Sequence, residues 1–333
     1  MSMGVRPVGI IGTGIAVPER VLTNADLEKI VDTTDEWIIS RTGIRERRVA
    51  GEDTPTSVLA EQAARHALEN AGIDVRDIDL IIVATITPDT VFPATACLVQ
   101  EKLGARCGAF DLEAGCTGFV YALATGAQYV ATGIYEHVLV IGAETLSRIT
   151  DWEDRNTCVL FGDGAGAAVI GPVSDGYGIL GIDLGSDGSG GDLLILPGGG
   201  SLHPTSHETV DRRMHYIQMA GNDVFKFAVR IMGESALKAL ENAGKTRDDL
   251  DFLVPHQANV RIIQAALKRL NLSEEKTYMN LERYGNTSAA SVPLALHEAV
   301  EGGKITDGSL VALVAFGAGL TWGSVVLKWG RGN

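Results

Sequence analysis

Three side chains in this sequence carry the residue types that nucleophilic catalysis needs. Cys116 follows a strand-like run, Gly108 to Leu112, and opens an apolar, small-residue stretch from Thr117 to Thr132 that reads as a helix. A thiol at a helix N-terminus faces unpaired backbone N–H groups and the positive end of the macrodipole, both of which favour the thiolate. His256 stands just past a short apolar strand, Phe252 to Pro255, and ligands of open α/β sheets collect beyond the carboxyl ends of strands. Asn286 starts a second small-residue helix in Gly285-Asn-Thr-Ser-Ala-Ala-Ser291, in the position that Cys116 holds in the first half. A nucleophile with an imidazole and an amide beside it can form a covalent intermediate and stabilise a developing oxyanion. Cys97, Cys107 and Cys158 lack polar surroundings in the sequence and read as structural thiols.

The elements that position these residues occur twice. Ala67-Leu-Glu-Asn-Ala-Gly72 returns as Ala239-Leu-Glu-Asn-Ala-Gly244, and at the same offset Asp77 to Val83 lines up with Asp249 to Pro255. Strand candidates at Val8 to Ile11, Leu80 to Thr85, Gly108 to Leu112, His137 to Gly142, Ala165 to Ile170, Gly178 to Leu184, Phe252 to Pro255, Val311 to Phe316 and Ser324 to Trp329 are interleaved with amphipathic helical patterns at Ser57 to Ala71 and Val224 to Ala243. The prediction is an α/β protein of two similar halves with a ligand cleft between them. Residues 1–184 form the half with the cysteine, 185–213 a Gly/Ser-rich exposed connecting loop, and 214–333 the half with the histidine and asparagine.

Composition narrows the function classes. With 333 residues, 45% hydrophobic and 21% charged, the chain is an ordinary globular protein. A net charge of −14 repels polyanions, which argues against nucleic acid. Ser309 to Leu327 is uncharged over a length that spans a bilayer, but Gly317, Gly319 and Gly323 break it into two strands, which argues against a membrane helix. The first residues lack a signal-peptide pattern, so the expected location is the cytoplasm, with reduced thiols. Three weaker motifs are set aside. The Gly9 to Val17 run has Val17 and Pro18 where a dinucleotide fingerprint needs a glycine and a helix, so a strand and a turn are expected. Gly162 to Ala168 lacks the lysine and hydroxyl of a phosphate loop and reads as a tight turn before a strand. His203 and His207 have only Glu208 at ligand spacing, and no metal is expected.

Taken in order, Ala114-Gly-Cys-Thr117, Phe161-Gly-Asp-Gly-Ala-Gly-Ala167, His256-Gln-Ala-Asn259, Gly285 to Ser291 and Phe316-Gly-Ala-Gly-Leu-Thr-Trp-Gly323 resemble, across essentially the whole chain, the thiolase-fold condensing enzymes and among them β-ketoacyl-acyl carrier protein synthase III. The resemblance implies a layered αβαβα sandwich. It also implies a Cys116, His256, Asn286 catalytic set; elongating synthases use Cys, His, His, and hydroxymethylglutaryl-CoA synthases add a Glu. Plant-type polyketide synthases share the set, but their C-terminal glycine motif contains a proline absent from Phe316 to Gly319. The implied reaction is a decarboxylating condensation of a short acyl-CoA with malonyl-acyl carrier protein that initiates fatty-acid synthesis, with no permanently bound cofactor. The backbone N–H groups of Cys116 and Ala318 would form the oxyanion hole; the family commonly has glycine at the latter, and a methyl there disturbs the turn if φ is positive.

By the same resemblance Trp37, Arg41 and Arg155 hold the CoA adenine end, and Thr33, Gly221, Phe225, Ala258 and Asn259 line the pantetheine tunnel. Phe92 corresponds to a residue inserted into the partner subunit's acyl pocket, which implies a homodimer. The acidic carrier protein needs a local basic patch on this acidic chain, and the acid-free stretch Val260 to Leu272 offers Arg261, Lys268 and Arg269. Arg45, Arg47 and Arg48 form a second basic cluster. A specialised-pathway ketosynthase or acyltransferase with another donor or carrier, and a catalytically silent scaffold, are the alternatives.

Overall fold

Strands buried on both faces set the layers of the molecule. The computed structural model describes residues 5–332. Its first sheet contains β1 (Val8–Ala16), β2 (Leu80–Ala84), β3 (Gly108–Leu112), β4 (Val138–Thr145) and β5 (Asp163–Pro172), in the order β1-β5-β4-β2-β3. Strand β2 is parallel to both neighbours, while β5 is antiparallel to β4 and β1. The second sheet contains β6 (Gly178–Ser186), β7 (Phe252–Pro255), β8 (Leu310–Gly317) and β9 (Thr321–Lys328), ordered β7-β8-β9-β6. Its pairings repeat those of the first: β7 is parallel to β8, and the other two pairs are antiparallel. A counterpart of edge strand β3 survives only as one parallel bridge between Leu253 and Thr277.

Seven longer helices fill the layers: α1 (Asp35–Thr42), α2 (Thr56–Ala71), α3 (Thr95–Leu103), α4 (Gly118–Ala131), α5 (Gly221–Asn242), α6 (Val260–Leu270) and α7 (Ser291–Glu301). On β2, Ile82 and Ala84 face the cluster that contains α4 and α7, whereas Ile81 and Val83 face the one with α2 and α3. The second sheet does the same, with Leu313 and Val325 turned inward and Ala312, Val314 and Val326 turned toward α5 and α6. The resulting five layers are the αβαβα sandwich expected from the sequence. Each fully buried Leu, Ile or Val contributes roughly 1.5–3 kcal/mol, so the three clusters are what hold the layers together. The central helices are built from small residues because they approach both sheets closely; a Cβ on Gly142 of β4 would sit 2.3 Å from the Ala289 carbonyl oxygen.

Several expectations need correction. Strand β6, which the sequence assigns to the first half, pairs with β9 in the second sheet. The repeat itself explains this, since each half begins with a strand preceding its helix, and β6 is the counterpart of β1. The chain therefore passes between halves at residues 173–177, not at 184. Residues 9–16 form one strand with an irregularity between Ile10 and Gly12, not a strand and a turn. Asp163 to Ala168 likewise lie within β5, because Gly164 and Gly166 leave room for Leu294 and Pro293 of α7. Within the connecting loop, Leu194–Ile195 pairs with Gln218–Met219. The uncharged C-terminal run is the β8-β9 hairpin, and among the described residues no helix is long and apolar enough to cross a membrane.

Candidate active site

Cys116 lies in a 3-10 turn, Gly115–Thr117, that leads directly into α4. Gly115 has φ +54°, in the left-handed region, which lets the chain turn sharply from β3 into the helix. Two glycines bring the C-terminal hairpin against this turn. A Cβ on Gly317 would lie 2.5 Å from the Cys116 nitrogen, and one on Gly115 would lie 3.0 Å from the Ala318 nitrogen. The two backbone N–H groups named in the sequence are thus neighbours. Ala318 is absent from the left-handed region, so its methyl imposes no strain. Thr321 ties the hairpin to the turn: its hydroxyl accepts from Thr117 at 2.8 Å and lies within 3.1 Å of the Ala114 and Ala318 carbonyls.

His256 follows β7, with its N–H donating to the Val314 carbonyl at 2.7 Å and its ring edge-on to Phe316. Its Nδ1 is 2.6 Å from the Ser291 hydroxyl, which also accepts from the Gln257 N–H at 3.4 Å. When the hydroxyl donates its hydrogen to Nδ1, the ring proton sits on Nε2 as a donor. Burial pushes the His256 pKa down to about 3, which keeps the ring neutral. Asn286 is oriented the same way by its neighbours. Its Oδ1 accepts from the Ser288 N–H at 2.9 Å, leaving the amide N–H groups to face the site. Its backbone is clamped by Leu160 and Gly162, so the Phe161 to Ala167 motif holds Asn286 in place.

Segment 286–291 joins the set, since it reaches His256 through Ser291, and a Cβ on Gly118, two residues past Cys116, would lie 3.3 Å from the Ala289 methyl. Cys116, His256 and Asn286 are 8%, 1% and 7% exposed, and at such buried positions fixed donors act strongly. Burial, opposed by the Ser288 hydroxyl and reinforced by the Glu144 charge, pushes the Cys116 thiol up to about 12. Burial thus opposes the helix-end effect read from the sequence. Glu144, Ser288 and Ser291 went unnoticed in the sequence. Glu144 ends an apolar strand, and the serines sit inside the Asn286 motif, where helix capping is their ordinary reading.

The residues assigned to the CoA adenine end also assemble. The Arg41 and Arg155 guanidinium carbons lie 4.8 and 5.1 Å from the Trp37 ring centroid, and Arg155 donates to the Asp32 carbonyl at 2.8 Å. Asn259 caps α6 through Arg261 N–H and donates to the Arg41 carbonyl at 2.9 Å, which links this cluster to the helix following His256. Arg261 covers Phe225 at 5.4 Å, Gly221 begins α5, Ala258 is half-buried, and the Thr33 hydroxyl is buried without a partner. With Trp37 replaced by alanine, KM for acyl-CoA is expected to rise about tenfold with kcat little changed, as steady-state kinetics would report.

The basic clusters divide differently from the sequence reading. Arg47 is fully buried; its guanidinium donates to the Leu22 and Val159 carbonyls and to Asn24, so it braces the core and cannot dock a partner. Strand alternation over Glu46–Arg48 turns it inward. Arg261, Lys268 and Arg269 are all exposed; Arg269 lies across Gly233 and pairs with Glu234 at 3.1 Å, which leaves Arg261 and Lys268 as the cations of that face without an ion pair among the described residues. Phe92 is 84% exposed beside Val91 at 88%.

This geometry can be set beside known proteins. Residues 110–188 match the family model of 3-oxoacyl-[acyl-carrier-protein (ACP)] synthase III, and residues 240–329 match the model of its C-terminal part. The β-ketoacyl-[acyl-carrier-protein] synthase III of Desulfitobacterium hafniense is 62% identical over 325 residues, 97% of this chain and 98% of its own. This chain belongs to the β-ketoacyl-acyl carrier protein synthase III family. A relative of the same name in Geobacillus kaustophilus is 56% identical, with 97% and 99% of the two chains covered. The synthase III crystal structure from Thermus thermophilus superposes with a TM-score of 0.91 at 50% identity, covering 97% of this chain and 99% of that one. The priming β-ketosynthase of the R1128 polyketide pathway has the same TM-score at 38% identity, with 99% of each chain covered. Membership in the synthase III family makes the sandwich a thiolase-type fold and the protein a condensing acyltransferase.

Proposed function

We propose that the protein condenses a short acyl-CoA with malonyl-acyl carrier protein, giving 3-oxoacyl-acyl carrier protein, CoA and CO2, with Cys116, His256 and Asn286 as the catalytic residues. The Cys116 sulfur attacks the acyl thioester carbon. The tetrahedral oxyanion rests on the Cys116 and Ala318 N–H groups, and the C–S bond to CoA breaks. Malonyl carrier then enters, its C–CO2 bond breaks, and the electron pair forms an enolate whose oxygen accepts from His256 Nε2–H and the Asn286 amide. The enolate carbon attacks the acyl-enzyme and the Cys116 sulfur leaves. The observation that carries this reading is the pair of neutral donors, one fixed by Ser291 and the other by the Ser288 N–H, with no base between them. An enolate formed by decarboxylation needs donors and no general base.

Trp37, Arg41 and Arg155 hold the adenine end of CoA, and no resident cofactor takes part. The protein acts as a homodimer: Phe92 and Val91 are exposed, and edge strand β3 is unpaired on its outer side among the described residues, a surface suited to a second copy. Its expected setting is the cytoplasm. The acidic carrier docks on Arg261 and Lys268. Reversing both charges to glutamate is expected to raise KM for malonyl carrier by about tenfold or more, less at high salt, with Cys116 acylation by acyl-CoA unchanged. Assay of product from malonyl-acyl carrier protein against malonyl-CoA tests the acceptor. Equal use of both would favour an acyltransferase with a different carrier.

A further inference from the structure

Arg47 lies at the junction of three segments on which the site depends. Its side chain is fully buried, and among the described residues its guanidinium donates to neutral groups alone: the Leu22 carbonyl at 3.2 Å, Asn24 Oδ1 at 2.9 Å and the Val159 carbonyl at 2.7 Å. Burial pushes its pKa down to about 10, so it stays charged at neutral pH. A buried cation without a carboxylate is costly, and an apolar side chain would fill the same space more favourably. The reason for a guanidinium here lies in what it holds. Asn24, which takes Arg47 on its oxygen, donates through Nδ2 to Asp35 at 2.8 Å and to the Ile44 carbonyl at 2.8 Å. Asp35 opens α1 and Ile44 lies just past its end, so Asn24 grips both ends of the helix that carries Trp37 and Arg41. Val159 follows the turn Arg155–Cys158, whose Arg155 also covers Trp37, and precedes Leu160, whose carbonyl accepts from the Asn286 N–H at 2.8 Å. The stem of Arg47 touches that clamp as well. A Cβ on Gly162 would lie 3.0 Å from the Arg47 Cβ, and one on Gly285 would lie 3.2 Å from it. Two residues earlier, the Arg45 N–H donates to the Glu282 carbonyl at 3.0 Å, which joins this strand to the turn leading to Asn286.

We propose that Arg47 is a positioning residue that holds the adenine clamp of Trp37, Arg41 and Arg155 and the enolate donor Asn286 in one frame. It touches no reacting atom, and among the described residues none of its hydrogen bonds reaches the turn that carries Cys116. Its planar fork is what lets one side chain serve acceptors on three separate segments; a lysine ammonium lacks that fixed geometry. Such bracing matters for rate, because a displacement of about 1 Å at a reacting group can cost about 10²-fold. Loss of Arg47 should therefore weaken the grip on CoA and misplace Asn286 together, while the nucleophile keeps its own supports, Thr117 and Thr321. The inference rests on the roles of Trp37, Arg41, Arg155 and Asn286 in the reaction proposed above.

The test measures two half-reactions in the wild type, Arg47→Met and Asn24→Ala, with thermal melting to define the folded range. One is acylation of Cys116 by acetyl-CoA over a concentration series, read by intact-protein mass; the other is CO2 release from malonyl-acyl carrier protein. Arg47→Met should raise the half-saturating acetyl-CoA concentration about tenfold and slow CO2 release by roughly 10- to 10²-fold, with acylation at saturation within about threefold of the wild type. In an Asn286→Ala background it should add no further loss to CO2 release, since it acts through that residue. Asn24→Ala cuts the arm to α1 alone, so it should raise the half-saturating concentration by about threefold or more and leave CO2 release unchanged. This variant carries the test if Arg47→Met does not fold. An Arg47→Met protein that melts earlier but keeps wild-type values while folded would overturn the inference. So would equal loss in all three quantities, loss confined to one half-reaction, or an Asn24→Ala protein with an unchanged half-saturating concentration. A wild type that neither acylates nor releases CO2 would overturn the proposed reaction itself.

Discussion

Replacing Cys116 by serine is expected to lower condensation by roughly 10³-fold or more without loss of the fold. Burial already pushes the thiol up to about 12, and an alcohol in the same place is a far weaker acid and nucleophile. The neighbouring groups do not compensate. Burial pushes the His256 pKa down to about 3, which makes the ring a poor base for a serine pair. Serine also fits the space, since it keeps the backbone N–H packed against Gly317, and the oxyanion hole should persist. Steady-state assay of 3-oxoacyl product, with thermal melting to check folding, measures this directly; a variant that retains more than a few per cent of activity would contradict it.

His256→Ala and Asn286→Ala are expected to divide the reaction in two. Each removes one preorganised donor to the enolate, and such a donor is commonly worth about 10²- to 10³-fold in rate. Malonyl decarboxylation and condensation should fall by that factor, whereas transfer of the acyl group to Cys116 should stay within a few-fold of the wild type. The double variant should lose less than the product of the two factors, because both donors bind one oxygen. Because burial holds the His256 pKa near 3, decarboxylation should also lack an acid limb near the ordinary histidine value. Radiolabelled CO2 release and acyl-enzyme formation, followed separately, distinguish this from a general loss of structure. Equal loss in both half-reactions would place His256 and Asn286 in the acylation step instead.

The chemistry-bearing residues were legible because each interrupts an otherwise apolar or small-residue pattern at the end of a repeated element. Cys116 and Asn286 open the two central helices, and His256 ends the copy of β2, so the duplication brings them together before any coordinates are known. The five layers were legible through the family resemblance, since β2 and β7 are continuously apolar and show no alternation. What escaped depends on contacts between segments distant in sequence. Glu144 lies in an apolar strand, and only packing of the Ser288 segment against that strand gives it a neighbour in the site. Arg47 looked like one of three surface cations, although the period of two over Glu46–Arg48 already turned it inward. Arg269 needed the approach of α5 to find Glu234. The boundary at 184 failed because it followed the glycine-rich loop, when the repeat offset marks β6 as the first strand of the second half.

Covalent capture of the acyl group is the claim on which the rest depends. Intact-protein mass spectrometry after mixing with acetyl-CoA, isobutyryl-CoA and longer acyl-CoAs in turn, with Cys116→Ser as control, tests it most directly. The expected result is a mass gain equal to one acyl group per chain for the accepted donors, absent in the variant and discharged by malonyl-acyl carrier protein. A gain that persists in Cys116→Ser, or no gain with any donor, would contradict it.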